Sequence, residues 1–150
     1  ANMPDVLAAI GLSQLGRYAD TLARRHALLD HYSRELLGTG VELMAHSGPG
    51  FRSSAHLAIA SLPVAGEAER NRIIQDLFLA GVSANVHYKP LPLLRAYRDM
   101  GFDPRHYPHA VAFYGTELTL PLHVALTAAD VDQACSVLLG AMDRLSPVTI

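Results

Sequence analysis

Cysteine, lysine and charge are all scarce in this chain. A single cysteine, Cys135, among 150 residues excludes an internal disulfide and fits a reducing compartment. It falls among apolar neighbours in a helical pattern and reads as a core thiol, since a reactive thiol needs exposure and electropositive flanks. Lys89 is the only lysine. No basic cluster exceeds Arg24-Arg25 and the formal net charge is −2, so nothing points to nucleic acid or an anionic membrane. No apolar run approaches the roughly 18 residues that a membrane span needs, and no signal peptide is visible. The expectation is a cytoplasmic protein with neither a nucleic-acid nor a membrane partner. Dinucleotide, phosphate-loop and nucleophile-elbow glycine motifs are missing as well.

What is present is apolar. Half of the residues are hydrophobic and only 17% are charged, low for a self-contained soluble domain. That balance predicts surface meant for a partner or a further domain. Eight histidines invite a metal hypothesis. His106 and His109 stand three apart, but Pro108 separates them and no cysteine or carboxylate cluster joins them, so no metal site is expected. His26 reads as a packing position and His31 as a solvated one.

The chain opens on what reads as one long helix, from Pro4 to about Leu37. Leu12, Leu15, Ala19, Leu22, His26, Leu29, Ser33 and Leu36 recur at alternating steps of three and four. Val6 to Ile10 are apolar all round, so the first turns require a cover. Pro4 and Asp5 suit a helix start, and Gly38 and Gly40 end it. Such a helix would be about 50 Å long, a spine rather than a core element.

Short strands and helices follow. Val41–His46, Ala55–Leu62, Val82–Tyr88 and Leu118–Leu120 read as strands, bounded by Gly and Pro. Glu67–Ala80 is helical, with Ile73, Ile74, Leu77 and Phe78 on one face. Leu93–Met100 reads as a short helix, and Pro108 starts another with Ala110, Val111 and Tyr114 inward. Thr127 with Asp130 resembles a capping box before a closing helix through Val131, Ala134, Leu138, Met142 and Leu145. The sum is a single α/β domain over residues 1–150 in two layers: a small, largely antiparallel or mixed sheet with helices packed on it.

One stretch concentrates chemistry. In Asn85-Val86-His87-Tyr88-Lys89-Pro90-Leu91-Pro92 a strand ends in an imidazole, a phenol and an amine, and two prolines fix the exit. Functional groups on a stiff turn at a strand terminus are well placed to meet a ligand. Lys89 itself is a poor Schiff-base lysine. Pro90 and Pro92 remove amide donors, and no glycine-rich helix start lies nearby to hold a phosphate.

Three segments carry a resemblance. The opening Asn2-Met3-Pro4-Asp5-Val6-Leu7-Ala8-Ala9-Ile10-Gly11-Leu12 is one. Val86-His87-Tyr88-Lys89-Pro90-Leu91-Pro92 with Ala96-Tyr97-Arg98 is the second. Leu118-Thr119-Leu120-Pro121-Leu122-His123 with Leu126-Thr127 and Asp130-Val131 is the third. In order and spacing they resemble the small domain of the DegT/DnrJ/StrS family of sugar aminotransferases.

The resemblance implies the C-terminal portion of a homodimeric fold-type I enzyme that uses pyridoxal 5'-phosphate. It moves an amino group, usually from glutamate, to a keto sugar carried on a nucleotide. The cofactor lysine and most phosphate-holding groups would lie in a large domain upstream, leaving no catalytic residue here and this chain inactive alone. Asn2 is then the candidate for contact with the cofactor phosphate of the neighbouring subunit. His87, Tyr88 and Lys89 are the candidates for the sugar-nucleotide pocket, with Lys89 offering charge to a diphosphate. His56 falls where relatives pair an aromatic with a histidine, Ala55 replacing the aromatic. The alternative is a stand-alone ligand-binding or dimerisation module of the same architecture without chemistry.

Overall fold

The computed structural model describes residues 2–145. The expected spine is two helices, α1 (Asp5–Leu15) and α2 (Tyr18–Glu35). The break sits at Gly16-Arg17, because glycine is among the weakest helix formers. The Arg17 N–H turns to the Gln14 carbonyl at 3.1 Å, a tighter bond than the α pattern, and a new helix restarts when Thr21 N–H reaches the Arg17 carbonyl. The apolar stripe therefore serves two purposes. On α2 it is core only in part: His26, Leu29 and, just beyond the helix, Leu36 are buried, joined by Leu28 and Tyr32 from outside the stripe, while Ala19 and Ser33 stay exposed. On α1 nothing is buried, and Val6, Leu7, Ile10, Leu12 and Leu15 all face outward. The cover those turns require is not supplied by the described residues.

A three-stranded antiparallel sheet forms the second layer, in the order β1 (Glu42–Leu43), β4 (Ala58–Ser61), β5 (Glu117–Leu120). A separate tight hairpin, β2 (Ser47–Gly48) with β3 (Phe51–Arg52), lies between β1 and β4 in chain order. On β4, Ala58 and Ala60 are buried while Ile59 and Ser61 are half-buried, the alternation of a one-faced strand. Strand β5 is buried at all four positions. Helices α3 (Glu67–Leu79) and α6 (Ala128–Leu145) pack on each other, and α2 packs on α6. Tyr32, Ile73, Leu77, Leu118, Val131 and Leu138 fill the space between these layers. Phe78, expected on the core face of α3, is 74% exposed. The capping box is real: Thr127 N–H donates to Asp130 Oδ2 at 2.7 Å and Asp130 N–H to Thr127 Oγ1 at 3.3 Å.

The expected strand over 82–88 is not a strand. Only Asn85 bridges to β5, exchanging backbone bonds with Thr119. What sets its course is the end of α3. Gly81, at φ +79°, lets Val82 N–H fold back onto the Leu77 carbonyl at 2.8 Å and Gly81 N–H onto Phe78. This is a Schellman closure, and it aims the following residues along β5. Beyond Pro90 the chain makes a 3₁₀ turn at Leu91–Leu93, then α4 (Arg95–Asp99), a second 3₁₀ turn at Pro104–His106, and α5 (Pro108–Thr116).

Candidate functional site

His87, Tyr88 and Lys89 form a corner rather than a strand end. The His87 N–H, two residues past the Asn85–Thr119 bridge, donates to Glu117 Oε2 at 3.1 Å. The two rings meet edge to face with centroids 4.7 Å apart. His87 is half-buried and its Nδ1 is sealed from solvent without a hydrogen-bond partner. Tyr88 is 75% exposed, and Lys89 is exposed with no ion pair among the described residues. Against this corner lies a cleft of about 230 Å³, closed on its other side by Ala110, Phe113 and Tyr114 of α5 and floored by Glu117. Its lining is mostly aromatic, suited to a ring or the apolar face of a sugar.

Two charged residues with no distinguishing motif in the sequence brace this corner, Glu117 directly and Arg70 through Glu117. Arg70 on α3 is 1% exposed. Its guanidinium donates to the carbonyls of Tyr114 at 3.1 Å and Glu117 at 2.9 Å and, through Nε, to Asn71 Oδ1 at 2.8 Å. It also lies 5.1 Å from the centre of the Tyr114 ring, in cation–π range. The Tyr114 hydroxyl donates to Glu67, and burial followed by the Glu67 charge raises its pKa. Glu117, also 1% exposed, accepts from His87 N–H and, at 2.6 Å, from the Thr119 hydroxyl. A signal for Arg70 existed, since positions 70, 73 and 77 share one helix face. Nothing local marked Glu117 beyond a charge opening an apolar strand.

Asn2 stands elsewhere, exposed on the lead-in to α1. Within the described residues the structure does not bring it to the His87 corner. His56 is exposed on the rim of another cleft of about 250 Å³, with Tyr18, Thr21, Arg25 and Ser54. Arg25 shapes that rim by donating to the carbonyls of Ala55 at 3.0 Å and His56 at 3.2 Å. Ala55, fully buried, sits at φ +51°, the left-handed region that costs a non-glycine residue roughly 1 kcal/mol. The Ser53 hydroxyl helps hold it by accepting the Ala55 N–H. His31 is not simply solvated: its Nε2 lies 2.6 Å from Asp132 on α6 and 3.8 Å from Glu35, a polar link between α2 and α6.

The fold and this corner define an α/β domain that presents an imidazole on a pinned amide, and an exposed phenol, beside an aromatic cleft. Residues 1–139 match the DegT/DnrJ/EryC1/StrS aminotransferase family, and the chain belongs to it. Among curated relatives, it is 31% identical to the erythromycin biosynthesis sensory transduction protein EryC1 of Saccharopolyspora erythraea, covering 87% of this chain and 35% of that one. It is 28% identical to the GDP-perosamine synthase of Caulobacter vibrioides, covering 91% and 36%. Among solved structures, a proposed sugar aminotransferase of Streptococcus pneumoniae, Spr1654, superposes in its PLP form with a TM-score of 0.93 at 43% identity, covering 97% and 37%. The same protein is known in apo and PMP forms. The chain spans little more than a third of the length of these relatives, matching their C-terminal portion.

The family is pyridoxal-phosphate-dependent, and the Streptococcus pneumoniae relative is known in its PLP form. The described residues do not by themselves fit that group. The one lysine is exposed, its following prolines offer no amide, and no carboxylate is paired with it to face a pyridine nitrogen.

Proposed function

We propose that this chain is the C-terminal, substrate-facing domain of a larger enzyme that transfers an amino group from an amino acid, glutamate in the first instance, to a nucleotide-linked keto sugar. The observation that carries the reading is the His87–Tyr88–Lys89 corner, buttressed by two buried charged residues and opening on an aromatic cleft. A backbone corner pinned by a buried carboxylate is more than a surface turn needs, and it falls within the family match. In this reading His87 and Tyr88 meet the sugar, Lys89 meets the diphosphate as a mobile point charge, and Asn2 reaches the cofactor phosphate of a second subunit. The exposed apolar surface of α1 belongs against that second subunit, and the working form is a homodimer. The enzyme works in the cytoplasm, where a free thiol persists.

The test takes the longest natural polypeptide carrying these residues and supplies it with pyridoxal phosphate, glutamate and a nucleotide-linked keto sugar. Mass spectrometry should find the aminated sugar with that polypeptide and none with residues 1–150 alone. Exchanging both His87 and Tyr88 for phenylalanine should impair turnover while leaving thermal stability nearly unchanged. Stoichiometric borohydride trapping of the cofactor on Lys89 of the isolated chain, together with glutamate-dependent turnover, would overturn the reading.

A further inference from the structure

We infer that Glu117 is a positioning residue for the substrate-facing corner, standing in for the strand partner that His87 lacks. The inference rests on the reading of that corner as substrate-facing. Pairing between segment 82–88 and β5 consists of the single Asn85–Thr119 bridge. Beyond it the segment leaves β5, so the His87 N–H would be a half-buried donor with no strand carbonyl to meet. Glu117 Oε2 takes that bond at 3.1 Å, while Oε1 accepts the Thr119 hydroxyl at 2.6 Å.

A leucine or valine at this fully enclosed strand position would avoid the cost of burying a carboxylate. That cost is offset only if the carboxylate is hydrogen-bonded, and both of its oxygens are. Arg70 fixes the other side of the same residue by donating to its main-chain carbonyl at 2.9 Å. Glu117 is thereby held at backbone and side chain, and passes that rigidity to the His87 amide. The ladder ends at Asn85, yet the imidazole and the Tyr88 ring stay aimed at the cleft, whose floor is Glu117 itself. A side-chain acceptor achieves what a longer strand cannot: it pins one amide and lets the next two residues turn outward.

The experiment uses the full-length aminotransferase with three variants, Glu117→Leu, Glu117→Gln and Thr119→Val. Kinetics toward the keto-sugar nucleotide and toward the amino donor are measured separately. Glu117→Leu should raise KM for the keto-sugar nucleotide by about tenfold or more, with the amino-donor half-reaction within about twofold of wild type. Glu117→Gln should rescue to within about threefold, because its amide oxygen still accepts from His87 and its NH₂ donates to the Thr119 oxygen. An unchanged sugar KM in Glu117→Leu, or equal loss in both half-reactions, would overturn the inference.

Should Glu117→Leu fail to fold, Thr119→Val decides. A sugar-specific KM rise of about two- to fivefold with faster hydrogen exchange at the His87 amide supports the inference, and wild-type values for both overturn it. A wild-type enzyme that aminates no keto sugar would instead sink the functional reading on which the inference rests.

Discussion

Replacing Arg70 by methionine should remove about 3 kcal/mol of stability. Methionine fills the volume of the aliphatic stem, so the cavity term is small. What is lost is the guanidinium, 1% exposed, with its bonds to Tyr114, Glu117 and Asn71 and its place over the Tyr114 ring. Bonds from a charged donor are worth about 1.5–3 kcal/mol each, and the two carbonyls would be left without this partner. Against this, the variant no longer desolvates a cation, a penalty of several kcal/mol. The Glu67 pair adds little, since Glu67 is half exposed to solvent. The net of about 3 kcal/mol is a large share of the 5–15 kcal/mol typical of a domain. Urea unfolding followed by circular dichroism should show the midpoint falling by about 1.5 M for a slope near 2 kcal/mol/M. Arg70→Lys should lose less, because both carbonyl bonds come from one nitrogen, Nη1, and an ammonium can make them, whereas the Nε bond to Asn71 and the planar group over Tyr114 are lost. A midpoint shift under about 0.5 M, or a rise, would refute the reasoning by showing that desolvation outweighs the network.

The elements legible in the sequence were those whose cause is local. The Thr127–Asp130 box announces α6 because its two bonds span three residues. Glu67 to Leu79 shows its own periodicity, and Gly81 ends it by a closure that needs no distant partner. The break in the spine was hidden because the three-four spacing of leucines runs through Gly16 without interruption, although the hydrogen bonds do not. Segment 82–88 has strand composition, but a strand is made by pairing, and pairing there stops at one residue. The site divides in the same way. His87, Tyr88 and Lys89 stand out beside their prolines, whereas Arg70 and Glu117 look like surface charges until the fold encloses them 47 positions apart. Asn2 entered by resemblance alone, and the contact expected of it is with a different subunit, which one chain does not display.

Tyr32→Phe should cost about 1 kcal/mol in thermal unfolding, since the fully buried hydroxyl donates to the Pro121 carbonyl at 2.9 Å and that acceptor would be left bare; an unchanged midpoint refutes it. Cys135, its pKa pushed up to about 12 by burial and then by the charges of Glu35 and Asp132, should resist thiol reagents near pH 8 in the native chain and react at once in denaturant; prompt native labelling would show the helix opening instead. The last expectation concerns His46. Its Nδ1 lies 2.6 Å from Ser53 Oγ, its Nε2 is sealed without a partner, and burial followed by the neighbouring His26 lowers its pKa. The folded chain therefore holds His46 neutral where the unfolded chain takes up a proton, near pH 6.5 for a free imidazole. The unfolded state binds more protons in that window, so stability must fall as pH drops from about 6.5 toward the lowered folded value, and this group adds no slope above it. Stability of the native chain and of His46→Gln, measured by urea titration across pH 5 to 8, should diverge in slope only below about 6.5. Parallel curves throughout would mean that the His46 ring meets solvent in the folded state.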